Sequence, residues 1–179
     1  MKLTFLGHAA FKLKGSQTIY IDPFLTGNPS ASMSLPEATK ADLVLVTHDH
    51  GDHLGDAVAI CKQTGATLVS VHETATAMAA TGGIKAEGMN IGGTLIFGSI
   101  KIHMVEAQHS SESGHQTGFI LEMDGHTIYH AGDTGIFGDM KLFSEFFDID
   151  LALLPIGDRY TMGPCSAARA VSLLGARKV

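Results

Sequence analysis

Thr47-His48-Asp49-His50-Gly51-Asp52-His53 follows the apolar run Leu43-Val44-Leu45-Val46. Three histidines and two aspartates fall in this short stretch. Neutral imidazole nitrogens and carboxylate oxygens are the donors that Zn²⁺, Fe and Mn²⁺ accept. A buried strand delivering such a cluster at its C-terminal end is a rigid mount for a cation. His48, His50, Asp52 and His53 are therefore the candidate metal ligands, and Asp49 is expected to point elsewhere. Gly51 is expected to relieve crowding where the backbone turns.

Outward from this stretch, the chain reads as alternating strands and helices. Strands are expected over 3–6, 10–14 and 18–21, the last two joined at Gly15-Ser16 as a hairpin. The run 41–46 is the strand feeding the histidines. A helix is expected over 54–62 with Leu54, Val58 and Cys61 on one face, stopping at Gly65. A strand at 67–71 and a helix over 73–80, ending at Gly82-Gly83, complete an α/β layered pattern. Residues 26–36 are rich in Gly, Asn, Pro and Ser and read as a loop. In the second half, strands are expected at 94–97, 100–107, 118–123, 127–130 and 150–156. Helices are expected at 140–147 and 164–174, the latter with Pro at its start and Gly175 at its end.

Three stretches beyond the first cluster also place a ligand-type residue just past an apolar strand: Val105-Glu106-Ala107-Gln108-His109, Ile128-Tyr129-His130-Ala131-Gly132-Asp133 and Leu153-Leu154-Pro155-Ile156-Gly157-Asp158. Strand ends along one sheet edge bring such residues together. His109 and Asp133 join the candidate ligands on this ground. His8 is read equally as a donor near the site and as a structural hydrogen-bonding group, and Asp22 as a turn residue or a partner of a ligating imidazole. His130 and His115 are read as structural and exposed-loop histidines. Asp158, Arg159 and Tyr160 are candidates for lining a substrate pocket.

Composition limits the function classes. The chain has 179 residues, 45% hydrophobic and 17% charged, and carries a formal net charge of −6. It is expected to be a single domain over 1–179. The acidic balance argues against a nucleic-acid or anionic-membrane binder and leaves a small, even anionic, substrate open. Cys61 and Cys165 form no CxxC pattern, so no disulfide framework is expected. No apolar run approaches the roughly 18 residues of a membrane helix, and the start lacks a signal-peptide core, so a cytoplasmic setting is expected. Homo-oligomerisation is left open.

The pattern His48-x-His50-x-Asp52-His53, then His109, then Ala131-Gly132-Asp133-Thr134 resembles the metallo-β-lactamase superfamily. Gly7-His8-Ala9-Ala10-Phe11, Ile21-Asp22-Pro23-Phe24, Pro155-Ile156-Gly157-Asp158 and Tyr160-Thr161-Met162-Gly163-Pro164 extend the likeness to its UPF0173 metal-dependent hydrolases, akin to ascorbate-phosphate lactonases. The resemblance implies an αββα sandwich and two divalent metal ions, with Zn favoured and Mn or Fe open. His48, His50 and His109 would hold one, Asp52 and His53 the other, and Asp133 would bridge them. The family pattern places one further histidine after the final helix and a strand. No histidine follows Asp133, so the chain is expected to be truncated, lacking that strand and ligand.

Two such cations share a water and lower its pKa towards neutrality. Asp52 is the expected catalytic residue, orienting that water at an ester, lactone or phosphodiester. Ser110 and Ser111 are expected to support the loop that bears His109 rather than to act as nucleophiles. The alternatives are a non-haem iron redox protein, against which His50 weighs because the related diiron proteins carry a glutamate there, and a non-catalytic metal-binding module.

Overall fold

A computed structural model describes all 179 residues. The chain forms two compact units, residues 1–90 with 111–115, and residues 91–110 with 116–179. In the first unit a six-stranded sheet runs in sequence order: β1 (Lys2–Gly7), β2 (Ala10–Lys14), β3 (Thr18–Ile21), β4 (Leu43–Leu45), β5 (Thr67–Val71) and β6 (Ala86–Met89). The β1–β2 and β2–β3 pairs are antiparallel, whereas β3 to β6 are parallel neighbours. The C-terminal ends of β1, β3 and β4 therefore share one edge of this sheet. His8, Asp22 and Thr47 to His53 all follow those ends. Strand β4 is buried on both faces, so Leu43, Val44 and Leu45 are all fully covered, as expected of a central parallel strand.

The second unit carries a five-stranded sheet. Its strands are β7 (Thr94–Phe97), β8 (Ile100–Glu106), β9 (Thr117–Met123), β10 (His126–His130) and β11 (Leu151–Leu153), in the order β11-β10-β9-β8-β7. Strands β7 to β10 are antiparallel neighbours, and β11 joins β10 in parallel. By the same reasoning the ends of β8, β10 and β11 share one edge, followed by His109, Asp133 and Asp158. Arg177 N donates to the Ile149 carbonyl and Ala152 N to that of Lys178, so the chain end runs beside β11.

The helices are α1 (Gly51–Leu54), α2 (Ala57–Thr64), α3 (His72–Gly82), α4 (Met140–Phe146) and α5 (Pro164–Leu174). The expected helix over 54–62 is in fact broken. Gly55 has φ +41, and a Cβ there would lie 2.6 Å from Phe24 Cα and 2.7 Å from the Pro23 carbonyl oxygen. The close approach of Pro23-Phe24 thus ends α1 and restarts the helix as α2. The buried face of α2 is Ala57, Ile60 and Cys61, not the Leu54, Val58, Cys61 stripe. The expectation for Gly51 also fails, because a Cβ there meets nothing within 4 Å. Gly65 and Gly175 end α2 and α5 in the left-handed conformation, as expected. Strand β6 escaped notice in the sequence because Gly88 and exposed Glu87 interrupt its apolar character. No helix is long and apolar enough to cross a membrane.

Candidate metal centre

In the first unit the site is built around one buried carboxylate. Asp22 is fully buried and takes a left-handed backbone (φ 45) as β3 ends. Its Oδ1 accepts from Thr47 N at 2.8 Å, and its Oδ2 accepts from Thr47 Oγ1 at 2.7 Å and lies 2.8 Å from His53 Nδ1. An ionised carboxylate only accepts, so His53 must carry its proton on Nδ1 and present the lone pair of Nε2. The Thr47 hydroxyl, having given its proton to Asp22, accepts from His48 Nδ1 at 3.1 Å. That bond puts the lone pair of His48 on Nε2 as well. Asp22 is therefore both a turn residue and a hydrogen-bonding partner of the His53 imidazole. Thr47 was not singled out in the sequence, although its place between the strand and His48 was the available signal.

Four of the sequence-selected residues converge within this unit. His48 Nε2 is 3.0 Å from His50 Nδ1, so the two nitrogens either share one proton or face one cation. The rings of His48 and His53 have centroids 4.2 Å apart. Asp52 and His53 sit in the single turn α1, and the Asp52 carboxylate is half exposed beside them. His8 adjoins the group: its Nε2 is 3.4 Å from Asp52 Oδ2. Ligand atoms of His8, Asp52 and His53 all lie within 4.8 Å of one another. An N/O donor set without thiolate suits Zn, Mn or Fe, so these residues fit a divalent cation.

Asp49 points elsewhere, as expected. Its carboxylate accepts from Ser111 Oγ at 2.7 Å, from the backbone N of Glu112 and of Ser113 at 2.9 Å each, and from Ser113 Oγ. Burial alone would raise its pKa, but the Ser113 and Ser111 hydroxyls and the two amides outweigh that and hold it below the ordinary carboxylate range. Ser111 thus anchors its loop through Asp49. Asp56 performs a similar task, its Oδ2 accepting from Leu25 N and Thr26 N at 2.9 and 2.7 Å. That fixes the start of the 26–36 loop.

In the second unit His109 Nε2 lies 3.7 Å from Asp133 Oδ2. This is too long for a hydrogen bond and short enough for two donors to one cation. Thr134 Oγ1 accepts from Gln108 N at 2.9 Å, and Gly135 N donates to the Gln108 carbonyl at 2.9 Å. These bonds tie the loop bearing Asp133 to the loop bearing His109. Gln116, which no sequence motif marks, is buried and donates from Nε2 to the Asp133 carbonyl at 2.9 Å. His130 is buried and accepts from Gly132 N at 3.2 Å, a structural use, and His115 is exposed. Arg159 lies over the exposed Tyr160 ring, 5.2 Å from its centroid.

Comparison with known proteins places these observations. A model of the β-lactamase superfamily domain matches residues 17–179. A UPF0173 metal-dependent hydrolase of Pelotomaculum thermopropionicum is 52% identical across 100% of this chain and 82% of its own length. One from Thermococcus onnurineus is 53% identical, again over 100% and 82%. Among solved structures, a metallo hydrolase from Ignicoccus hospitalis superposes with a TM-score of 0.91 at 40% identity, covering 98% of this chain and 78% of that one. The metallo-β-lactamase fold protein YhfI of Bacillus subtilis, at 14% identity and a TM-score of 0.68 over 93% and 74%, agrees in fold alone. The expected α/β class and metallo-β-lactamase-like fold are those of the chain.

Proposed function

This chain belongs to the UPF0173 metal-dependent hydrolases of the β-lactamase superfamily, and on that premise we propose that it is a dinuclear hydrolase of a small ester, lactone or phosphodiester. Residues 1–179 act as one hydrolase domain. His48, His50 and His109 are assigned to one metal, Asp52 and His53 to a second, and Asp133 to both, with Zn preferred over Mn and Fe. Bound divalent cations supply a water of lowered pKa and a positive field for the developing oxyanion.

The protein's own part follows from its residues. Asp22 and Thr47 hold His53 and His48 in the tautomers that expose Nε2. Asp52, half exposed, is assigned to accept a hydrogen bond from the attacking water and aim its lone pair at the substrate. Arg159 is assigned to an anionic group of the substrate, where its planar fork pairs in bidentate fashion. The observation that carries this reading is the Asp22 carboxylate, buried and shared between Thr47 and His53. A carboxylate–imidazole pair of this kind serves to fix a ligating ring.

A panel of esters, lactones and phosphodiesters tests the reaction class. The wild type is expected to turn over at least one class, and Asp52→Ala to lose that turnover while the equivalent of metal held by His48 and His50 stays bound. Equal rates for the two proteins would contradict the reading.

A further inference from the structure

We propose that His8 is itself a metal ligand, joining Asp52 and His53 at the second cation. This deepens the dinuclear reading and rests on it. The three ligand atoms lie within 4.8 Å of one another. His8 Nε2 stands 3.4 Å from Asp52 Oδ2, at the outer limit of a good N–H···O bond. It is also a natural spacing for two donors that each lie about 2.0–2.2 Å from a shared cation. The His8 ring meets that of His53 edge to face, with centroids 5.4 Å apart and planes at 83°. Phe24 lies against His8 in the same manner, centroids 6.0 Å apart, and limits where the imidazole can swing.

The backbone is committed to this placement. His8 has φ 56, a left-handed conformation that non-glycine residues adopt uncommonly. It follows Gly7 (φ +103), where a Cβ would lie 2.4 Å from the Ser30 carbonyl oxygen. Ser32 N donates to the Leu6 carbonyl at 3.1 Å and Ser32 Oγ to that of Phe5 at 3.0 Å. The loop after β3 therefore holds the end of β1 in place, and the turn that follows it brings His8 beside Asp52. A strained, half-exposed histidine beside a carboxylate and an oriented imidazole is a donor arrangement, whereas a hydrogen bond to fix the turn would need neither His53 nor the exposure.

The test is titration of the metal-stripped protein with Co²⁺, read by affinity and by visible absorption, for the wild type, His8→Asn and His8→Gly. Asn and Gly both tolerate the left-handed backbone. The wild type is expected to bind two equivalents. Both variants are expected to keep the first and to weaken the second by more than about 100-fold, since loss of a partner one layer further out already costs roughly 10–100-fold. The absorption band of the second equivalent should change, and added imidazole should restore it in His8→Gly. A second equivalent with unchanged affinity or an unchanged band in the variants would overturn the assignment and leave the hydrolase reading standing. A wild type that binds no cation would overturn both.

Discussion

Asp22 Oδ2 lies 2.8 Å from His53 Nδ1 in a fully buried pair, and the same oxygen accepts the Thr47 hydroxyl proton. One carboxylate thereby sets the tautomer of His53 directly and that of His48 through Thr47. Replacing it by an amide brings an N–H₂ group or a weaker acceptor to a position that two donors share. In Asp22→Asn we expect His53 to move its proton towards Nε2 and to lose donor capacity there. Metal affinity should fall roughly 10–100-fold, measured by competition with a chromophoric chelator, while the left-handed backbone at position 22 remains acceptable to Asn.

Gly55 separates α1 from α2 because Pro23 and Phe24 pass directly over it. Gly55→Ala must both accept φ +41 and push that backbone away. A loss of more than about 1–3 kcal/mol is expected, read from the midpoint of urea unfolding. Gly51→Ala, with open space around it, should stay close to wild type.

Asp49 links pH to the 111–115 segment. Its folded pKa lies below the ordinary carboxylate range because of the hydroxyl and amide donors that overcome its burial. The unfolded chain therefore binds more protons between the two pKa values, and stability rises with pH across that window. The contribution is complete above the unfolded carboxylate pKa and lost as pH falls through the folded one. The protection of the Glu112 and Ser113 amides against hydrogen exchange, relative to their intrinsic rates at each pH, should fall below that window in the wild type. In Asp49→Ala it should be low at every pH.

The two cysteines should differ in reactivity. Cys61 is buried, and that burial pushes its thiol up to about 12, so almost no thiolate exists near neutrality. Cys165 is exposed at the start of α5. A chromogenic disulfide reagent should modify one thiol in the native protein and two after denaturation. Rapid native modification of both would contradict the packing of α2.

Much of this was legible in the sequence because the signals were local. The run Leu43 to Val46 followed by the histidines identified β4 and its cargo, and the glycines at 65 and 175 marked helix ends by their own conformational freedom. What was not legible depended on chain segments meeting in space. The break at Gly55 comes from Pro23-Phe24, more than thirty positions away in sequence. The task of Thr47 appears only once Asp22 is brought beside it, and that of Gln116 only once the Asp133 carbonyl reaches it. Strand β6 is specified by its neighbour β5 more than by its own residues.

Hydrolysis by this chain is expected to depend on bound metal. The most direct measurement is turnover of the ester, lactone and phosphodiester panel by the purified chain before chelation, after exhaustive chelation, and after Zn²⁺ is returned. The expected result is activity that vanishes on chelation and recovers with about two equivalents of Zn²⁺ per chain. Hydrolysis that proceeds at an undiminished rate in the fully stripped protein would contradict it.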